Sequence, residues 1–168
     1  FTVLAPGQAK CFRKTGESQW QNGIDTKRGY KCILPSGRDI TIFFYDGAAS
    51  QAVAFKGLLE DGKAFGKHLI NSFDDRQEQQ LVNIATDGES YGHHHKHGDM
   101  ALAYCLQYIE QSQEFRLTNY SEYMKLFPAE YEVEIVEQSS WSCAHGVERW
   151  RSDCGCSNGE VANSHQQW

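Results

Sequence analysis

Ile40-Thr41-Ile42-Phe43-Phe44-Tyr45 runs directly into Asp46-Gly47, and Leu81-Val82-Asn83-Ile84-Ala85-Thr86 runs into Asp87-Gly88-Glu89. Both runs are almost continuously apolar, as a strand must be when side chains on both of its faces are covered, the situation in a parallel sheet sandwiched by helices. Working outward, residues 1–5, 29–34 and 131–136 also have strand character. Pro35-Ser36-Gly37-Arg38-Asp39 favours a turn, so 29–34 and 40–45 form a local hairpin at the sheet edge. Residues 50–73 place Phe55, Leu58, Leu59, Phe65 and Leu69 on a helical stripe capped by Ser50, weakened by Gly57, Gly62 and Gly66, which predicts one or two helices. Residues 99–113 predict a helix capped by Asp99, and Asn119 with Glu122 is a capping-box pattern for a short helix that Pro128 closes. Alternating strands and helices predict an α/β fold with a parallel sheet, one unit over residues 1–168 without an internal boundary.

The chain has 168 residues, with 22 acidic against 16 basic side chains and a formal charge of -6. Without a long basic cluster, neither a nucleic-acid backbone nor an anionic membrane is expected as a partner. No apolar run approaches the ~20 residues of a membrane span, and residues 1–10 lack the features of a secretory signal. Six cysteines, three scattered and three clustered near the end, do not form the framework of a small secreted domain, so a reducing, cytoplasmic setting is expected. The chain opens at Phe1 inside an apolar stretch, which reads as a piece of a longer polypeptide. A complete eight-unit barrel takes ~250 residues, so this chain holds part of one.

Ligand sites in parallel α/β folds lie at the carboxyl ends of the strands, which is where Asp46 and Asp87 fall. Asp87 and Glu89, two residues apart, share one side of an extended segment and could divide acid and base roles between them; the alternative is a plain turn with Glu89 as a helix cap. The His93-His94-His95-Lys96-His97 run offers imidazoles, but adjacent side chains diverge, so a polar cleft lining or a solvated stretch fits better than a metal site. Near the end, Cys143, His145, Cys154 and Cys156 supply a Cys3His set, yet each near pair has one intervening residue where structural zinc sites usually have two to four. No metal or other cofactor is expected. Trp141 and Trp150, with Glu148, Arg149 and Arg151, have the composition of a sugar cleft, unless the tryptophans fill the core and the cysteines are merely buried.

The block Ala85-Thr86-Asp87-Gly88-Glu89-Ser90-Tyr91-Gly92-His93-His94 resembles the fourth sequence region of glycoside hydrolase family 57. Phe1-Thr2-Val3-Leu4-Ala5-Pro6, Phe43-Phe44-Tyr45-Asp46-Gly47 and Ser140-Trp141-Ser142-Cys143-Ala144-His145-Gly146 look like an uncharacterised bacterial branch of it, similar to α-amylases and α-mannosidases. The resemblance implies part of a (β/α)7 barrel, the C-terminal portion of the catalytic unit, and a retaining mechanism on α-glycosidic bonds. It puts the general acid/base on Asp87, a supporting or sugar-contacting role on Glu89, and cleft positions on His93 and His94. Asp46, Trp141, His145 and Trp150 join these as candidate substrate contacts. The family's nucleophilic Glu precedes the segment where this chain begins, so the chain carries the acid/base half and is inactive alone. The expected partners are an oligo- or polysaccharide and the N-terminal remainder of the same protein. Two rival functions stand beside this one: a metal-dependent carbohydrate hydrolase or deacetylase built on the His and Cys/His groups, and a non-catalytic carbohydrate-binding segment.

Overall fold

A computed structural model describes residues 1–76 and 78–156, so residues 157–168 of the expected single unit lie outside the described residues. Five strands form one sheet: β1 (Thr2–Leu4), β2 (Ala9–Lys14), β3 (Gly29–Ile33), β4 (Asp39–Phe44) and β5 (Tyr131–Ile135), in the spatial order β1-β4-β3-β5-β2. The predicted hairpin is present, with Gly29 opposite Phe43 and Ile33 opposite Asp39, closed by Gly37 N–H donating to Leu34 O over 2.9 Å, but it lies inside the sheet and not at its edge, because β1 pairs with β4 and β5 with β3. That hairpin makes β3 and β4 antiparallel, and β2 also runs antiparallel to β5, while β1/β4 and β3/β5 are parallel. The sheet is therefore mixed, which corrects the expectation of a parallel one: a five-residue turn can only return the chain antiparallel.

Two further strand expectations change. Residues 81–86 form no strand ladder. With β1 on one flank of β4 and β3 on the other up to Phe43, the run's backbone bonds this neighbour only past the end of β4, where Asp46 N–H donates to Asn83 O over 2.8 Å. Asn83 locks it there: its amide nitrogen donates to Thr26 O (3.0 Å) and Phe44 O (3.3 Å), and its oxygen accepts from the Tyr120 hydroxyl (3.1 Å). Conversely, β2 is a strand that the sequence pattern conceals. Its basic residues pair across to β5, Lys10 with Glu134 at 2.8 Å and Arg13 with Glu132 at 2.6 Å, as suits a charged edge strand.

The covered-strand reading of β4 corresponds to its packing. Ile42 and Phe44 enter a cluster with Tyr30, Cys32 and Val133 on one side of the sheet, while Phe43 packs against Leu81 and Tyr123 on the other. A third cluster, Val53, Leu59, Phe65, Ala101, Cys105 and Ile109, lies among the helices α1 (Gly47–Phe55), α2 (Gly62–Ile70) and α3 (Gly98–Glu110). The last helix, α4 (Tyr120–Leu126), is capped by Asn119, whose side chain accepts from Glu122 N–H at 3.0 Å, as predicted. Five strands and these helices make a mixed α/β fold.

The other caps differ from the sequence reading. Asp46, not Ser50, caps α1, accepting from Ala49 N–H at 3.0 Å, and His97 rather than Asp99 occupies the cap position of α3. Gly57 does end α1, in the left-handed region at φ 72°. Gly62 and Gly66 serve a different purpose: a Cβ at Gly62 would lie 2.6 Å from Ala101 O, and one at Gly66 2.7 Å from the Tyr108 ring, so their bareness lets α2 lie close on α3.

Candidate active site

The carboxyl ends of the parallel pair β1 and β4 open onto a cleft of about 930 Å³. Val3 to Pro6 and Tyr45 line it, together with Ser50, Gln51, Ala54 and Phe55 of α1. Ala85, Thr86, Asp87, Ser90, His94 and His95 contribute from the segment after 81–86, and Ser139, Ser140, Trp141 and Trp150 from the chain after β5. Placing a cleft at these strand ends follows from topology, since successive loops there converge while the other ends are taken by return connections.

The two acids that follow the apolar runs have opposite fates. Asp46 does not line the cleft, and its carboxylate is occupied by the cap of α1. Asp87 lines the cleft and stands at the head of the 3-10 turn Gly88–Ser90, yet its side chain caps nothing; among the described residues its carboxylate accepts no hydrogen bond. Among the described residues it is also the one carboxylate in the lining. The backbone does the turn's work instead, Ser90 N–H donating to Asp87 O over 3.0 Å. Thr86 Oγ1 and the Tyr91 hydroxyl, 2.9 Å apart, brace the two sides of the turn.

Glu89 lies outside the cleft lining and faces His94 Nε2 at 3.2 Å, both groups largely exposed. His94 reaches the cleft and His93 does not, its ring standing edge-on to that of His94 with centroids 5.0 Å apart. His95, outside the set of expected substrate contacts, is anchored by a ring nitrogen 2.9 Å from Ala54 O and also lines the cleft. Of the four histidines of the run, His94 and His95 therefore share the cleft while His93 and His97 are outside its lining.

Trp141 and Trp150 both line the cleft with two thirds of their surface exposed (66% and 65%), so neither ring fills a core. Phe55, placed by its spacing on the apolar helical stripe, is 83% exposed at the same cleft. The missed signal is its offset from buried Val53: two residues along a helix is about 200°, which turns Phe55 away from the face that Val53 buries. His145 is not in the cleft lining; its Nδ1 sits 3.2 Å from Cys156 Sγ and 3.7 Å from Cys143 Sγ. Cys143 Sγ is in turn 3.8 Å from Cys154 Sγ and 3.5 Å from Cys156 Sγ. Burial pushes the Cys143 thiol up, but donation from His145 N–H, from Cys156 and from the other members outweighs it and brings it down to about 7.

The family model for glycosyl hydrolase family 57 matches residues 17–136. The chain belongs to that family. Family 57 membership places it among proteins that hydrolyse or transfer glycosidic bonds, with carbohydrate as the substrate class. A search of curated proteins finds no significant match. The family 57 match contains Asp46, Asp87, Glu89, His93 and His94 but stops before Trp141, His145 and Trp150. No helix among the described residues is long and apolar enough to cross a membrane.

Proposed function

We propose that this chain supplies the acid/base half of a retaining glycosidase or glycosyltransferring site for α-linked oligo- or polysaccharides, with Asp87 as the acid/base. The observation that carries this is the free Asp87 carboxylate in a cleft whose rim bears the exposed rings of Trp141 and Trp150. Asp87 first protonates the glycosidic oxygen, so that the leaving sugar departs as a neutral alcohol, and then removes a proton from the incoming water or acceptor hydroxyl. Retention requires a second carboxylate ~5–5.5 Å away on the other face of the sugar ring. With Asp87 the one carboxylate among the described lining residues, the nucleophile comes from another part of the protein, and the chain by itself is inactive.

In this reading the parallel pair β1 and β4 belongs to a (β/α)7-type barrel of which this chain is the C-terminal portion, and the antiparallel strands extend it. Its support is the parallel β1/β4 pair with the cleft at its carboxyl ends and β1 as an edge strand able to accept a further neighbour. The tryptophans supply flat apolar faces for sugar rings, and His94 supplies a hydrogen-bonding group beside them. The proposed location is the cytoplasm, where thiols such as its six free cysteines stay reduced.

The test is Asp87→Asn in the full-length protein. Turnover of an α-glucan should fall by about 10²–10⁴ with circular dichroism unchanged, because general acid/base help has that magnitude. An aryl glycoside with a good leaving group, which departs without protonation, should lose far less in its first step. Near-normal glucan turnover by the variant removes Asp87 from this role.

A further inference from the structure

The chain after β5 presents a physical problem. It carries Trp141 and Trp150 to the cleft, yet none of the three apolar clusters contains a residue beyond Ile135. What ties it to the rest is polar, Gln8 Nε2 donating to Ser139 Oγ over 3.1 Å and Val136 N–H to Gln8 O over 2.8 Å; within it, Val147 N–H donates to Gln138 O over 2.9 Å and a short 3-10 turn spans Gly146–Trp150. Segments with too little apolar surface to bury are commonly held by a cross-link or a metal.

The four donors at the end of this segment have the dimensions of a metal site. Zinc bound tetrahedrally at ~2.3 Å from sulfur and ~2.0–2.1 Å from nitrogen requires sulfur–sulfur edges of roughly 3.8 Å and sulfur–nitrogen edges of roughly 3.5 Å. The observed edges from Cys143 Sγ are 3.8 Å to Cys154 and 3.5 Å to Cys156, and those from His145 Nδ1 to the Cys143 and Cys156 sulfurs are 3.7 Å and 3.2 Å. All four donor atoms lie within 4.8 Å of one another. Cys143 is buried, and His145 N–H points at its sulfur over 3.4 Å, the kind of backbone support that orients a thiolate ligand. The one-residue spacings do not prevent convergence, because the 3-10 turn Gly146–Trp150 between the pairs brings the second pair back onto the first.

We propose that Cys143, His145, Cys154 and Cys156 bind one zinc ion, and that this ion fixes the segment presenting Trp141 and Trp150 to the cleft. Trp150 lies inside the loop that the metal closes, and Trp141 two residues before its first ligand. Four protein ligands leave no open coordination position, so the ion is structural and neither binds water nor takes part in the reaction. The cluster lies outside residues 17–136, so membership of family 57 neither implies nor accounts for it. A multinuclear iron–sulfur cluster would hold its four ligands farther apart than these distances.

The purified full-length protein, kept under reducing conditions, should contain one zinc per chain by plasma mass spectrometry. Exchange with Co(II) should give the intense ligand-field bands and sulfur-to-metal charge transfer of a tetrahedral thiolate site. Cys154→Ser should weaken zinc binding by on the order of a hundredfold or more, while Cys11→Ser, a thiol on β2, should leave it unchanged. These readouts need no substrate, so they stand or fall separately from the glycosidase reading. Metal-free protein that gives no tetrahedral cobalt spectrum overturns the proposal even if Cys154→Ser fails to fold. Iron with acid-labile sulfide, or a disulfide joining two of these cysteines in protein isolated without air, overturns it equally.

Discussion

Ser50 Oγ accepts a hydrogen bond from Ala85 N–H over 3.1 Å while its own hydrogen goes to Asp46 O at 2.7 Å. One buried hydroxyl thus ties the first turns of α1, which follow β4, to the extended segment that ends in Asp87. Ser50→Ala leaves Ala85 N–H without this partner and should cost about 1–2 kcal/mol of stability. Because it also loosens the approach to Asp87, kcat of the full-length protein should fall more than KM changes. Thermal unfolding and steady-state kinetics on the same variant check both; unchanged kcat beside lowered stability would confine Ser50 to a structural role.

Trp141 and Trp150 are mostly exposed, so their removal takes little from the folded state. If their rings stack on sugar, Trp141→Ala and Trp150→Ala should each weaken oligosaccharide binding about tenfold, the loss typical of an aromatic anchor. Calorimetric titration in an Asp87→Asn background measures this without turnover. Unaltered affinity in both variants would show that the sugar binds elsewhere.

These sites were legible in the sequence to different degrees, for physical reasons. Apolar side chains on both faces announce β4 whatever its neighbours, whereas residues 81–86, equally apolar, find both flanks of β4 already taken by β1 and β3. The charges of β2 make sense only beside Glu132 and Glu134, which lie far along the chain. The strand-end rule singled out both acids, yet 81–86 forms no strand, and only tertiary contacts separate Asp46, committed to the cap of α1 and outside the cleft lining, from Asp87, left free among the described residues. The Cys/His spacing similarly reports local bite and says nothing of how a later turn folds one pair onto the other. Gly62 and Gly66 read as helix weakeners because their partner, α3, is invisible to local pattern.

That close helix contact has a direct consequence. Gly62→Ala forces a methyl to within 2.6 Å of Ala101 O, a backbone atom that cannot step aside without moving α3. The expected loss is about 1–3 kcal/mol, the usual size of an overpacking strain. Gly47→Ala is the contrasting case: a methyl there would meet nothing within 4 Å, and the residue opens α1, so stability should be unchanged or rise by up to about 1 kcal/mol. Urea midpoints that fall equally for the two would refute the close-contact account.

Acid should expose a charge network built on Asp25. Asp25 accepts from Lys27 N–H at 3.0 Å and from Arg28 Nε at 2.8 Å, and pairs with Arg76, which also pairs with Asp74. Burial pushes the Asp25 carboxyl up, but these donors together outweigh it and hold it below the usual carboxylate range; Asp74 is held down as well, by Arg76 first and then Lys27. A carboxyl depressed in the folded state contributes stability that is fully present above the unfolded value of ~3.9 and is lost as pH falls toward the folded value. Urea midpoints should therefore drop as pH falls from about 5 to about 3. Asp25→Asn, which has no charge to lose there, should start less stable at neutral pH and lose less over that interval. An acid limb as steep in Asp25→Asn as in the unaltered protein would mean that the loss arises at other carboxylates.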